Sequence, residues 1–198
     1  MRAIVKLAMQ YAALVIMLPL ILSYRLLAWL FDEDETLASF SQFLSLLPGR
    51  TGSYLRVAFY SVTLARCSRD CYIGFGTLFS HRNTDVGAGV YIGPQCNIGS
   101  CRIDEDCLLG SGVHVLSGKR QHALNDLETP VRDQGGEFEK IAIGCDTWIG
   151  NGAILMAGTG KHCVIGAGAV LTNPIDDFEI AGGNPARVIA SRKPASGS

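Results

Sequence analysis

Two hydrophobic patterns divide the chain. Across residues 3–31 nearly every position is apolar, with Lys6, Gln10 and Arg25 as the main interruptions and Pro19 in the middle. From Cys71 onward an aliphatic residue followed by glycine returns about every six residues, as in Ile73-Gly74, Val86-Gly87, Ile92-Gly93, Ile98-Gly99, Leu109-Gly110, Ile143-Gly144, Ile149-Gly150 and Ile165-Gly166. A repeat this short predicts a β-helix, in which each unit forms one flat side of a coil, buries its aliphatic residue and turns at the small residues beside it. Ordinary all-β domains place turn signals about 8–12 residues apart. Here Ile92 to Ile98, Leu109 to Val115, and Ile143 to Ile149 to Leu155 each step by six, and Ile98 to Ile103 is a one-residue slip.

A helix needs about 20 apolar residues to cross the hydrocarbon core, and residues 7–24 come close to that. The segment is too long for a signal h-region and is followed by no small-residue cleavage site, so it is expected to stay attached. Two geometries remain open: a spanning helix, or a helix kinked at Pro19 that dips into one leaflet and returns. Residues 37–47 and 54–64 are also rich in Leu, Phe and Tyr, with Arg50, Arg56, Arg66 and Arg69 nearby, a composition suited to an interfacial surface. Packing of all three segments on one another, or on a partner subunit, is the alternative.

Composition narrows the function classes. A net charge of −1 offers no field for nucleic acid. Seven cysteines could suggest a disulfide framework, but Cys96, Cys101, Cys107, Cys145 and Cys163 fall within coil repeats, where Cys acts as a small apolar residue. Cys67 and Cys71 have no second pair nearby of the kind zinc needs, so no metal is expected. The odd count, with no cleaved signal, points to a reducing compartment.

The repeat stops after Val115 and resumes at Ile141. The polar segment between them, residues 117–140, exceeds the length at which a loop in a compact domain is usually functional or disordered. It opens with Gly118-Lys119-Arg120-Gln121-His122. Of the four histidines, His81, His114 and His162 read as surface or interface positions, whereas His122 stands at the root of this loop. A neutral imidazole there can take a proton from a hydroxyl or amine. Asp126 and Glu128 are the acidic groups within the loop that could fix its tautomer.

Further motifs carry a resemblance. Leu108-Leu109-Gly110-Ser111-Gly112-Val113, then His122, then Ile143-Gly144-Cys145-Asp146-Thr147-Trp148-Ile149-Gly150-Asn151-Gly152 come in this order. They are followed by Val164-Ile165-Gly166-Ala167-Gly168-Ala169-Val170-Leu171-Thr172 and by Ala181-Gly182-Gly183-Asn184-Pro185-Ala186-Arg187-Val188-Ile189. From about Cys71 onward the chain resembles the hexapeptide-repeat acyltransferases of left-handed β-helix fold, and among them the sugar and xenobiotic O-acetyltransferases. The resemblance implies a mainly β chain: a left-handed parallel β-helix over residues 67–189 with the loop 117–140 inserted. It is preceded by an α-helical, membrane-associated region over 1–66 and followed by a tail over 190–198.

The resemblance further implies a homotrimer with sites in the clefts between subunits, acetyl-CoA as donor, and His122 as general base. Its donor groove maps onto Trp148, Asn151, Ala167, Gly168, Thr172, Asn173 and Arg187, with Arg187 offering charge to a CoA phosphate. The pattern departs between Gly158 and Val164, where one residue is missing and a bulged rung is expected. The acceptor residues of the soluble sugar enzymes find no match before Leu108. Together with the apolar N-terminus, this suggests acetylation of a hydroxyl on a lipid-linked or cell-envelope sugar, at the cytoplasmic face of the plasma membrane. N-acetylation of an amino sugar and a non-catalytic trimeric scaffold are the alternatives. The carbonic anhydrases built on the same coil need three converging histidines, which the spacing of His114 and His122 fits poorly.

Overall fold

A strand of two or three residues cannot stand alone, because it buries too little and leaves its backbone groups half unpaired. The chain solves this by stacking. The computed structural model describes residues 2–193, and from Arg66 its strands, numbered β1 to β16 in chain order, wind into a left-handed parallel coil with three flat sides. One side holds β1 (Arg66–Cys67), β4 (Asp85–Val86), β7 (Cys101–Ile103) and β10 (Ile141–Ile143). The second holds β2 (Tyr72–Ile73), β5 (Tyr91–Ile92), β8 (Leu108–Leu109), β11 (Trp148–Ile149), β13 (Val164–Ile165), β15 (Glu179–Gly182) and β16 (Arg187–Ser191). The third holds β3 (Leu78–Phe79), β6 (Asn97–Ile98), β9 (His114–Val115), β12 (Ile154–Leu155) and β14 (Val170–Leu171).

Register makes the core. On the second side Ile73, Ile92, Leu109, Ile149, Ile165 and Ala181 sit directly above one another. Phe79, Ile98, Val115, Leu155 and Leu171 do the same on the third. Both ladders are buried, so the glycine after each aliphatic residue marks a corner and not a strand. The short repeat between Gly158 and Val164 forms no strand on the first side. Thr159 instead bridges singly to Ile143 and to Ile175, and its hydroxyl accepts from the Gly144 amide at 3.3 Å. All seven cysteines are free thiols. Cys96 and Cys107 donate to the carbonyls of Gly110 and Gly144, each at 3.1 Å, in the rung that follows. Burial pushes the Cys101 and Cys107 thiols up to about 12, which keeps them protonated and inert.

Three helices close the N-terminal end: α1 (Arg2–Leu30), α2 (Glu33–Ser45) and α3 (Gly49–Thr63). Asp32 caps α2 by accepting from the amides of Asp34 and Glu35, each at 2.9 Å. Gly52 lets α3 follow closely, since a Cβ there would lie 2.2 Å from the Leu47 carbonyl oxygen. The first rung has no neighbour above it, and the α2 and α3 side chains supply the missing partners. The Ile73 amide donates to Ser53 Oγ at 3.2 Å, and the Phe79 amide to Ser41 Oγ at 2.8 Å. Arg56 donates from Nε and Nη2 to the Ile73 carbonyl at 3.2 and 3.0 Å, and from Nη1 to the carbonyls of Leu44 and Leu47 at 3.2 and 2.6 Å. Arg56 therefore does not belong to an interfacial surface, as its neighbours in sequence suggest. It is fully buried, and its charge is spread over backbone oxygens. At the far end, β16 turns back antiparallel on β15 and closes that edge, running to Ser191, two residues past the 189 boundary drawn from the motifs. Of the tail, residues 194–198 lie outside the described residues.

The first helix is continuous through Pro19, so the folded-back geometry is not formed. One face, with Ala13, Met17, Ile21 and Tyr24, packs on α2 and α3, where Tyr24 meets Phe40 and Phe59 edge-on with centroids at 5.5 and 5.4 Å. The opposite face is apolar and bare: Ile4, Val15, Ile16, Leu22, Leu26 and, at 81% exposed, Trp29. Only 22% of the apolar window is buried within the chain. Replacing Arg56 with Met takes its donors from the carbonyls of Ile73, Leu47 and Leu44, of which Leu44 keeps the Leu47 amide at 3.2 Å, and a buried carbonyl left unsatisfied costs about 1–3 kcal/mol. Arg56→Met is expected to destabilise the chain by about 2 kcal/mol or more, read as a lowered thermal unfolding midpoint in detergent.

Candidate active site

His122 is carried on an arm that leaves the coil after β9 and returns to β10. The arm is a pair of antiparallel rails: the Ala123 amide donates to the Gly135 carbonyl at 2.6 Å, Glu137 to Arg120 at 2.7 Å, and Glu139 to Ser117 at 2.9 Å. Gly136 lets the rails touch, because a Cβ there would stand 2.0 Å from the Gln121 carbonyl oxygen. Arg120 pairs with Glu137 at 2.8 Å and Glu139 at 3.2 Å. At the tip, beside a single 3-10 turn (Val131–Asp133), Asp126 accepts from the Glu128 amide at 2.9 Å and from the Thr129 hydroxyl. Gln134 donates to the carbonyls of Asp126 and Thr129 at 2.6 and 2.8 Å. Asp126 is thus spent on shaping the tip and is not the group that orients His122. The imidazole is exposed, and no described residue bonds to it.

The residues expected to form the donor groove fall on three parts of the coil. Trp148 points outward from β11, between Leu108 and Val164 in the adjoining rungs, and is 54% exposed. It lines a cavity of about 390 Å³ with Asp106, Asp146 and Arg192, which none of the other expected residues enters. Asn151 stands at the next corner, above Ala167 and Gly168. Its side-chain oxygen accepts from the Ser111 amide at 2.9 Å, and its carbonyl accepts from the Gly168 amide at 2.9 Å. Asn151 therefore ties three rungs together. Thr172 and Asn173 follow β14 at the corner from which the arm springs, one side of the coil away. Arg187 opens β16, exposed, and donates to the Ala186 carbonyl at 2.9 Å.

One contact links the arm to this set. Lys119, three residues before His122, donates from Nζ to Asn173 Oδ1 at 2.8 Å. Sequence reasoning quoted Lys119 without giving it a partner, and its only signal is a cation at the loop root. A second cluster went unseen. His162 Nδ1 lies 2.9 Å from Asp146 Oδ2, and Arg192 donates to the same carboxylate at 3.3 Å and to the His162 carbonyl at 3.2 Å. The His162 hydrogen bond, and then Arg192, hold the Asp146 carboxyl below its usual range. Phe178 stacks on the His162 ring at 4.9 Å. Since Arg192 follows β16, this cluster latches the terminal hairpin onto the coil.

No family model matches the chain. It is 40% identical over 133 residues to a Mycobacterium tuberculosis protein described as a probable acetyltransferase, covering 55% of this chain and 44% of that protein. Over 128 residues it is 30% identical to the galactoside O-acetyltransferase of Lactococcus lactis, covering 60% of this chain and 59% of that enzyme. The chain thus spans about half the length of these curated relatives. Among solved structures, its fold matches a maltose O-acetyltransferase from Clostridium difficile 630 with a TM-score of 0.68 at 20% identity, over 83% of this chain and 90% of that one. It also matches a galactoside acetyltransferase in complex with coenzyme A with a TM-score of 0.65 at 18% identity, over 82% and 84% of the two chains. A third fold match, with a TM-score of 0.64 at 20% identity over 83% and 95% of the two chains, is a hexapeptide-repeat-containing acetyltransferase from Vibrio cholerae, and the coil has the left-handed β-helix fold of these solved structures.

On this hexapeptide-repeat coil the arm is the element least supported by the core, so its order depends on its own polar contacts. The Thr129 hydroxyl, followed by the amides of Glu128 and Thr129, holds the Asp126 carboxyl below its ordinary 3.8. A depressed folded value means that the ionised group favours the ordered tip. That contribution is complete above about pH 3.8 and is lost as pH falls through the lowered value. Asp126→Ala at neutral pH is expected to raise amide hydrogen exchange across residues 117–140 and leave the coil rungs unchanged.

Proposed function

We propose that the chain is an acetyl-CoA-dependent O-acetyltransferase that modifies a hydroxyl of a lipid-linked or cell-envelope sugar, with His122 as general base. The observation that carries this reading is an unpartnered, exposed imidazole on a shaped arm whose root, through Lys119, is tied to Asn173 of the donor set. The imidazole takes the proton of the acceptor hydroxyl as that oxygen attacks the thioester carbonyl. The carbon–sulfur bond then breaks, and the CoA sulfur leaves with the proton returned from the imidazolium. No acyl-enzyme is required.

The donor side fits a long, flexible thioester. Ala167 and Gly168 add no bulk at their corner, so the backbone there is open to a pantetheine arm. Lys119 and Arg187 offer positive charge to CoA phosphates, and Trp148 offers an apolar wall. Because these residues lie on different sides of one coil, a second copy is needed to close a cleft over them. The homotrimer supplies it, with the exposed Leu124 and Leu127 of the arm as seats on the neighbour. The galactoside O-acetyltransferase among the relatives supports the reading of a sugar acceptor. The bare apolar face of α1 supports a membrane setting in which that face lies in the headgroup region of the cytoplasmic leaflet while the coil stands in the cytosol.

The test is thiol release from acetyl-CoA by the detergent-solubilised protein with a panel of sugars and lipid-linked sugars. His122→Ala is expected to lower acceptor-dependent turnover by about 10²–10⁴-fold, with CoA affinity within about twofold of the parent. Equal turnover by the variant would remove His122 from the mechanism, and absence of CoA binding by the parent protein would overturn the enzyme reading.

A further inference from the structure

Among the described residues, a cavity that does not include the arm gathers cations that meet no carboxylate. Where the first turns of α1, the start of α3 and the corners before β2 and β5 meet, a cavity of about 340 Å³ is lined by Lys6, Arg50, Tyr54, Arg69, Tyr72 and Tyr91, with Asp70 at its side. Lys6 is ion-paired to Asp70. That leaves Arg50 and Arg69, neither of which meets a carboxylate among the described residues. Arg69 is held in place: its carbonyl accepts from Gln10 Nε2 at 2.7 Å, and its guanidinium lies 5.6 Å from the Tyr11 ring centre. Two free guanidiniums in one concavity form a site for a multiply charged anion, and their planar forks suit phosphate oxygens.

The opposite wall has different chemistry. Tyr72 and Tyr91 stack with centroids 4.9 Å apart and planes 5° from parallel. Both stand on the outer face of the coil, so the pair is held rigidly by β2 and β5 and offers a flat apolar surface edged by hydroxyls. Such a surface suits the carbon–hydrogen face of a sugar ring. Lys6, which lines the cavity, lies on the same first turns of α1 as the exposed Ile4 and Leu7, where the bare face begins. Phosphate, sugar and hydrocarbon chain would each find a matching surface within one short reach.

We propose that this cavity binds a glycosyl phosphate or diphosphate headgroup, with Arg50 and Arg69 on the phosphate and the Tyr72–Tyr91 pair against the sugar. It is a recruitment site, distinct from the chemistry at His122, and it rests on the reading of the acceptor as a sugar. The headgroup is supplied either on a polyprenyl lipid or as a free sugar phosphate.

Binding to the full-length protein in detergent separates these sources. The probes are a polyprenyl-diphosphate-linked N-acetylglucosamine, N-acetylglucosamine 1-phosphate and phosphatidylglycerol. The expected result is saturable binding of at least one sugar-bearing probe. It should weaken about tenfold or more in Arg50→Gln and in Arg69→Gln, and weaken severalfold in Tyr91→Ala. A much tighter fit for the lipid-linked probe assigns the bilayer as source, and equal fits assign the free sugar phosphate. Phosphatidylglycerol binding as tightly as the sugar-bearing probes, no binding of either of them, or indifference to both arginine variants would overturn the proposal. Headgroup binding in a protein that neither binds CoA nor releases thiol with any acceptor would leave this site standing and remove the transferase reading. The reverse result would remove this site alone.

Discussion

A coil of parallel strands has a raw edge at each end, and its first rung must find partners for amides and carbonyls that no earlier rung can supply. Here those partners are Ser53, Ser41 and Arg56. The guanidinium is the keystone, because it reaches the first rung and the end of α2 at once and holds both by carbonyl oxygens. Burial lowers the arginine's affinity for its proton, but guanidinium stays charged in proteins, and its dispersal over three carbonyls takes the place of a counter-ion. The joint is directional and cannot slide, so it fixes the helical layer on the coil.

The consequences run in both directions. Toward the N-terminus, α1 is committed along one face to α2 and α3, and its other face is left apolar and bare. That bare face is the one that the proposed membrane setting uses. Toward the C-terminus, every rung inherits its register from the first, so side chains separated by tens of residues stack at fixed heights. Ser111, Asn151 and Gly168 meet at one corner for that reason. The arm bearing His122 is the longest departure, and the coil holds both its roots.

Much of this was legible in the sequence, because the coil is a local code. Each inward aliphatic residue and its corner glycine announce themselves within six positions, and the ladder of Ile73, Ile92, Leu109, Ile149 and Ile165 can be read directly from them. The apolar helix and the position of the inserted arm were equally plain. Arg56 was misplaced because its neighbours in sequence look interfacial, while its partners are carbonyls of other elements that no side-chain pattern reveals. The Lys119–Asn173 and His162–Asp146 pairs were hidden for a related reason: each joins two turns of the coil, and the register across the insertion and the shortened repeat sets who meets whom. Asp126 looked available to His122 because both lie in one loop, yet local turn chemistry claims it first.

The joint between the helical layer and the coil, and with it the proposed placement of α1 flat in one leaflet, can be tested directly. The most direct measurement places a single tryptophan at position 4, 16 or 29, with Trp29 and Trp148 otherwise replaced by phenylalanine. Quenching by lipids brominated at different depths is then recorded in vesicles. The account predicts quenching at all three positions with the same shallow depth. A depth that passes from one interface through the bilayer centre to the other would mean that the helix spans the bilayer and is not welded to the coil end, and no quenching at any position would remove the membrane from the account.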